Sequence, residues 1–138
     1  MAAPTPTTTV NWDGIRGAVR FRAVWADVTN YSDQSVVDIS TLAPAPASIK
    51  IRSIDIILNG DIGATLEFDA TTDQDIDNFT GQSDVTYQLL RDYTDGPNAG
   101  ITPADTAAAG FTGDLFITTT NVASGDELNA YIVFEKSS

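Results

Sequence analysis

The sequence predicts an all-β protein, a β-sandwich of jelly-roll-like type with an extended N-terminal arm. Runs rich in Thr, Val, Ile and aromatic residues are separated at short spacing by clusters of Gly, Pro, Asn and Asp. No run has the 3.6-residue apolar period of a helix. The two longest strands come early and the loops are of unequal length, which favours a jelly roll over the immunoglobulin-like alternative.

The chain has 138 residues, a length typical of one domain. Residues 1–10 are expected to form the arm and residues 11–138 a single sandwich domain. Pro4 and Pro6 favour extended backbone and oppose a helix. The arm is either a disordered terminus or a strap over a neighbouring subunit.

The first half of the domain contains the clearest strand patterns. Apolar residues alternate with Arg20 and Arg22 in a run that ends near Thr29, and a short strand is expected at 36–39. A long isoleucine-rich strand over 48–58 changes phase around Ser53, which predicts a bulge or a strand that passes between sheets.

The second half contains shorter strands and longer loops. Asn59-Gly60 predicts a turn before a return strand at 64–68. The polar, acidic segment 70–84 is expected to be a loop, as is 91–110. Further strands are expected at 85–90, 115–120 and 128–135, with the last two forming a hairpin around 121–127.

The composition excludes many kinds of site. The chain contains neither His nor Cys, which removes disulfides, thiol catalysis and every metal site or catalytic triad that needs imidazole. General acid–base catalysis most often uses His, and close carboxylate pairs are unspecific among nineteen acidic residues. We therefore expect a protein that is not an enzyme.

The charge is divided unevenly along the chain. Nineteen acidic and seven basic residues give net −12, which opposes nucleic-acid binding. Five of the seven basic residues precede residue 53, and they are the candidate partner-docking residues: Arg16, Arg20, Arg22, Lys50 and Arg52. They indicate either a docking face, opposite an acidic face towards solvent, or ordinary solvated strands.

One acidic cluster has the spacing of a calcium loop. Asp73, Asp75 and Asp77 hold positions 1, 3 and 5 of such a loop, and Asp84 holds position 12. Position 6 is Asn78 instead of glycine, and no helix pattern flanks the segment. The sequence therefore leaves two alternatives, a calcium site and a solvated acidic loop without a cofactor.

The aromatic residues are candidates for a sugar-binding platform. Trp25 and Tyr131 lie in strand patterns, which favours core packing. Trp12 and Tyr93 are nearer to loops and are the better candidates for exposed contact. The start of the chain lacks the basic and apolar regions of a signal peptide, and no apolar run is long enough for a membrane helix. We expect synthesis in a cytoplasm and no membrane contact.

Several segments together resemble the small virion structural proteins of tailed bacteriophages, of the capsid decoration (cement) type. They are the Thr/Pro/Ala-rich start, the strand and turn at 50–60, the return at 63–73, and the closing segments 113–120, 124–126 and 131–136.

This resemblance implies a compact β-sandwich, often a trimer, located on the capsid surface and without catalytic residues. Its implied partner is the major capsid protein or another shell protein. The alternative is a carbohydrate-binding or receptor-binding sandwich module that can depend on calcium. The sequence leaves open whether a head or a tail is bound, and which oligomer forms.

Overall fold

A computed structural model describes residues 3–83, 85–93 and 100–137. These residues form nine strands and one short 3₁₀ turn at Ile39–Thr41, and no helix among them is long and apolar enough to cross a membrane. The strands are β1 (Thr7–Trp12), β2 (Arg16–Val24), β3 (Gln34–Val37), β4 (Ile49–Asn59), β5 (Gly63–Phe68), β6 (Gln74–Thr80), β7 (Thr86–Asp92), β8 (Leu115–Thr120) and β9 (Glu127–Lys136).

The strands form two antiparallel sheets. The five-stranded sheet has the order β1-β2-β9-β4-β7, and the four-stranded sheet has the order β3-β8-β5-β6. Strands β2 and β9, β3 and β8, β4 and β7, and β5 and β6 are paired, so eight strands form four nested antiparallel pairs. This nested pairing is that of a jelly roll, to which β1 adds an edge strand. The predicted fold class is confirmed.

The core fills the space between the sheets with alternate residues of each strand. Val19 and Phe21 of β2 are at most 1% exposed. In β4 the register shifts between Ile51 and Ser53, so that both Ile51 and Ile54 are fully buried. The predicted phase change is therefore a bulge within one strand, and it keeps both ends of β4 in the core.

The connection at 121–127 differs from the predicted hairpin. Strand β8 belongs to the four-stranded sheet and β9 to the five-stranded sheet, so the segment crosses between sheets. The turn at Asn59-Gly60 likewise joins β4 and β5 of different sheets. Gly60 has φ +108°, and a Cβ there would clash with Asp126. A turn motif specifies a reversal of the chain, but the sheet that the next strand joins depends on distant residues.

Strand β1 corrects the predicted boundary of the arm. Thr7–Trp12 pairs along its whole length with β2, so only residues before Thr7 lie outside the sheet. Ala3 packs against the core, and the Tyr31 hydroxyl donates to the Pro4 carbonyl. The Thr-rich segment favours a strand because its β-branched residues fit a pleated surface. The expected ten-residue arm is therefore too long.

Strand β6 corrects the predicted loop at 70–84. Gln74–Thr80 pairs with β5 as an edge strand, with a register shift between Leu66 and Glu67. An edge strand with one solvated face tolerates polar residues, which explains why the acidic composition of this segment did not indicate a strand.

Candidate functional site

All five candidate docking residues lie on the outer face of the five-stranded sheet, named here the five-stranded face. Arg16, Arg20 and Arg22 come from β2, and Lys50 and Arg52 come from β4. Strands β2 and β4 do not pair with each other, because β9 lies between them. The side chains of β9 thus divide the five candidate docking residues into two groups.

Glu135 of β9 is the centre of the first charge cluster on this face. Its carboxylate lies 3.3 Å from Arg52 Nη1, 3.8 Å from Lys50 Nζ and 4.0 Å from Arg16 Nε. One carboxylate therefore faces three cations, and Asp92 of β7 lines the same end of the face.

Glu127 and Tyr131 of β9 contact the other two arginines. Arg22 donates from Nε and Nη2 to Glu127 Oε1, at 3.0 and 2.8 Å. Hydrogen bonds from Asn129 and Arg22 lower the pKa of Glu127, so this carboxylate is ionised at neutral pH. The Arg20 guanidinium lies 4.4 Å from the centre of the Tyr131 ring, a cation–π contact.

A shallow groove of about 300 Å³ lies on the same face. Its lining includes Arg20 and Tyr131 in the centre, with polar groups on either side from Thr9, Asp55 and Asn129. The groove therefore combines hydrogen-bonding groups with one aromatic ring, whose face the arginine covers.

The outer face of the four-stranded sheet has the opposite charge. Its strands β3, β5, β6 and β8 contain no Lys or Arg. Asp33, Glu67 and Asp73 each bring one carboxylate oxygen within 4.8 Å of the others, and these three residues are named the carboxylate cluster. Glu67 is only 8% exposed, and the Thr118 hydroxyl donates to it at 2.7 Å.

Glu67 and Asp73 of the carboxylate cluster favour protonation. Burial raises the pKa of Glu67, and the neighbouring charges of Asp73 and Asp33 raise it further. Burial also raises the pKa of Asp73, with a smaller contribution from Asp33. Chemically, three hard oxygen ligands at this spacing can share a proton or a divalent cation such as Ca²⁺.

The structure separates the residues of the predicted calcium loop. Asp73 joins the carboxylate cluster, and Asp75 is exposed in register with Glu67. Asp77 instead accepts from the Tyr93 hydroxyl and lies 3.6 Å from Arg91 Nε. Asp84 lies outside the described residues. An extended strand cannot wrap one ion as a curled loop does, so the loop geometry expected for Asp73, Asp75 and Asp77 is wrong.

The sequence does not predict two members of the carboxylate cluster. Asp33 and Glu67 are distant from Asp73 along the chain, and the sheet pairing brings them together. The only local indication of Glu67 is its place in β5, where it points outward between two buried apolar residues.

The aromatic residues do not form the expected exposed platform. Trp12 stacks on Phe134 at 5.7 Å, and Tyr93 bonds to Asp77. Trp25 is buried as expected, and its ring contacts Tyr31. Tyr131 lies on the five-stranded face instead of in the core.

Comparison with known proteins gives likenesses of architecture only. No protein-family model and no curated protein match the chain. Among solved structures, a chain of the Bacillus endospore appendages, described as disulfide-linked pili, is 10% identical, with TM-score 0.37 over 100% of this chain and 96% of that one. A virus-like particle chain of the extra small virus of the prawn Macrobrachium rosenbergii is 18% identical, with TM-score 0.36 over 97% and 87%.

A family 29 carbohydrate-binding module in complex with mannohexaose is 8% identical, with TM-score 0.35 over 98% of this chain and 82% of that one. Because every one of these TM-scores is below 0.5, the proposed function rests on the charges and contacts of this chain alone.

Proposed function

We propose that this chain is a non-enzymatic virion structural protein of the capsid decoration type, which docks on an acidic region of a shell protein through its five-stranded face. The observation that carries the proposal is the arrangement of the five cations. Arg16, Arg20, Arg22, Lys50 and Arg52 share one flat sheet surface, although the chain as a whole has net −12.

The opposite charges of the two faces support a defined orientation on a partner. Complementary potentials align two surfaces during encounter, and like charges oppose the wrong orientation. With the carboxylate cluster on the other side of the sandwich, an acidic shell surface attracts the five-stranded face and repels the four-stranded one. The outward acidic face then keeps decorated particles soluble and apart.

A virion structural role also fits the chemistry of the chain. A virion structural protein needs rigidity and a docking surface. The buried residues of this sandwich form one continuous apolar core, which supplies the rigidity. On this proposal the protein is made in a host cytoplasm and then becomes part of the virion.

Carbohydrate binding is the second candidate, and the groove on the five-stranded face is the observation that favours it. Asp55, Asn129 and Tyr131 offer hydrogen bonds and an aromatic ring of the kind that sugars use. However, Arg20 covers the Tyr131 ring, so a sugar would have to displace the guanidinium before stacking. Binding to a glycan array that Tyr131→Ala abolishes would favour this candidate over docking.

The test of docking is charge reversal on the five-stranded face. The double variant Arg20→Glu, Arg22→Glu should lose at least 10-fold in occupancy when added to purified particles that lack this protein, measured by co-sedimentation. The control is Thr80→Glu, Thr120→Glu, at two exposed positions on the four-stranded sheet, which adds half as much negative charge as the double reversal. The control should bind normally.

Circular dichroism and thermal melting establish that both double variants remain folded. Normal occupancy of a folded Arg20→Glu, Arg22→Glu variant would refute the assignment of the docking face. Equal loss in the control would show that binding does not depend on the five-stranded face.

A further inference from the structure

We propose that β1 is an assembly edge, at which two copies of this chain pair their β1 strands antiparallel and form one continuous ten-stranded sheet across a twofold axis. The proposal concerns self-association and does not depend on the docking partner proposed above.

Among the residues that the structure describes, none pairs with the outer edge of β1, and the strand has no feature that prevents pairing. An edge strand presents unpaired N–H and C=O groups, which accept another strand unless charges, proline, bulges or short length prevent it. Thr7–Trp12 has six residues, none of them charged and none proline. It pairs with β2 in unbroken register, and Thr7 to Asn11 are all exposed.

The other three edges of the two sheets are protected. Strand β3 has four residues and a register shift, and β6 has a register shift together with Asp75 and Asp77. Strand β7 carries Arg91 and Asp92. The contrast identifies β1 as the edge that is suited to pairing.

The inner side of β1 is also incompletely covered. Val10 pairs with the fully buried Val19 and therefore points towards the same side of the sheet, yet it is 37% exposed. The reason is that β1 extends the five-stranded sheet beyond β3, the last strand of the sheet opposite. A strand added at this edge would cover the exposed valine.

The described residues before β1, from Ala3 onward, lie away from this edge. The Tyr31 hydroxyl donates to the Pro4 carbonyl, and Ala3 packs against the core. Pro6 has no N–H, so a ladder along β1 ends at Thr7. The open segment is therefore Thr7–Trp12.

A second copy fits this segment when the twofold axis passes through Val10. Val10 of one copy then pairs with Val10 of the other, Thr8 pairs with Trp12 of the other copy, and Thr9 pairs with its Asn11. Each of these pairs lies on one side of the sheet, as antiparallel pairing requires, and none brings like charges together. The valine pair and the Thr8–Trp12 pairs bury apolar surface on the inner side.

The same register gives charge complementarity at both ends of the paired segment. It places Asp13 of each copy opposite Thr7 of the other, and Arg22 is the neighbour of Thr7 on its far side. The backbone N–H groups of Ile15 and Arg16 donate to Asp13 and lower its pKa, so this carboxylate is charged at neutral pH. Asp13 of each copy thus lies two strands from Arg22 of its partner, on the same side of the sheet.

The first test uses the absence of cysteine, because a single introduced thiol can cross-link only between copies. Directly opposed residues of an antiparallel pair have Cα atoms about 4.5–5.5 Å apart, which is within disulfide range. Val10→Cys should form a disulfide-linked dimer with oxidised glutathione at least 10-fold faster than Leu90→Cys, a control that is 64% exposed on β7. Thr9→Cys should cross-link more slowly than Val10→Cys, since the axis passes through Val10.

The second test uses light scattering coupled to size-exclusion chromatography at tens of micromolar protein. The unmodified chain and Leu90→Lys should be dimers, whereas Val10→Lys should be a monomer, because the twofold axis sets its two lysines against each other. A monomeric unmodified chain, a dimeric Val10→Lys variant, or equal cross-linking of Val10→Cys and Leu90→Cys would overturn the proposal. A monomer whose β1 instead captures a strand of a shell protein would also overturn it.

Discussion

The two outer faces of the sandwich differ in how their charged side chains are arranged. On the five-stranded face, the cations of β2 and β4 flank the carboxylates of β9, so each carboxylate lies near at least one cation. On the four-stranded sheet, Asp33, Glu67 and Asp73 gather beside a threonine hydroxyl. The same fold thus supports one face of attractive pairs and one of like charges. Neutralising a carboxylate should lower stability on the first face and raise it on the second.

The largest effect is expected at Glu135, which faces three cations. Glu135→Gln removes all three ion pairs and leaves Arg16, Lys50 and Arg52 close together. Exposed pairs contribute up to about 1 kcal/mol each, so we expect a loss of about 1–2 kcal/mol in the free energy of unfolding by urea. The loss should shrink in 1 M salt, where charges are screened within about 3 Å. A loss that salt does not change would mean that Glu135 acts by packing.

A smaller effect, of opposite sign, is expected at Glu67. Glu67→Gln keeps an acceptor for Thr118 and removes one of three like charges, and two such charges at 4 Å repel by about 1 kcal/mol in water. We expect a gain of roughly 0.5–1 kcal/mol at pH 7.5.

The pH dependence of this gain tests its cause. Because the pKa of Glu67 is raised in the folded state, the folded chain binds a proton more tightly than the unfolded chain does. Stability of the unmodified protein should therefore fall as pH rises from the ordinary Glu value of 4.5 through the raised pKa. The advantage of Glu67→Gln should vanish near pH 4, and a gain that is constant from pH 4 to 7.5 would contradict this account.

The last effect is expected at Arg20 and is no larger than that at Glu67. Arg20→Ala removes the cation–π contact with Tyr131, which is worth about 0.5–1 kcal/mol at an exposed site. Arg20→Lys keeps a cation over the ring and should retain most of the melting temperature. If both variants melt alike, the contact contributes nothing to stability.

Residues with strict alternation were predicted well. Val19 and Phe21 of β2 and four of the five isoleucines of β4 are core residues, and even the bulge near Ser53 follows from the phase of the pattern. The reason is that a strand with one buried side has apolar residues at every second position, so the alternation shows which side is buried. Strands β1 and β6 were not predicted, because edge strands bury few side chains and do not keep the alternation of apolar and polar residues.

The candidate sites were predicted only in part. The five cations were found because the basic residues are concentrated before residue 53, and the structure adds the intervening β9 with its carboxylates. The carboxylate cluster was not found, since Asp33 and Glu67 meet Asp73 only through the pairing of β3, β8, β5 and β6. The regular spacing of Asp73, Asp75 and Asp77 instead suggested a calcium-binding loop, whereas the structure has strand β6 in this segment.

The sequence by itself determined the all-β class, the lack of imidazole and thiol chemistry, the core positions and the excess of acidic charge. These are properties of composition and of neighbours along one strand, where local backbone geometry fixes the direction of each side chain. Only the tertiary structure decided which strands share a sheet. That choice places β9 among the cations, divides the charge between two faces instead of two halves of the chain, and leaves β1 at an open edge. Strand order depends on contacts between distant residues, which no local pattern specifies.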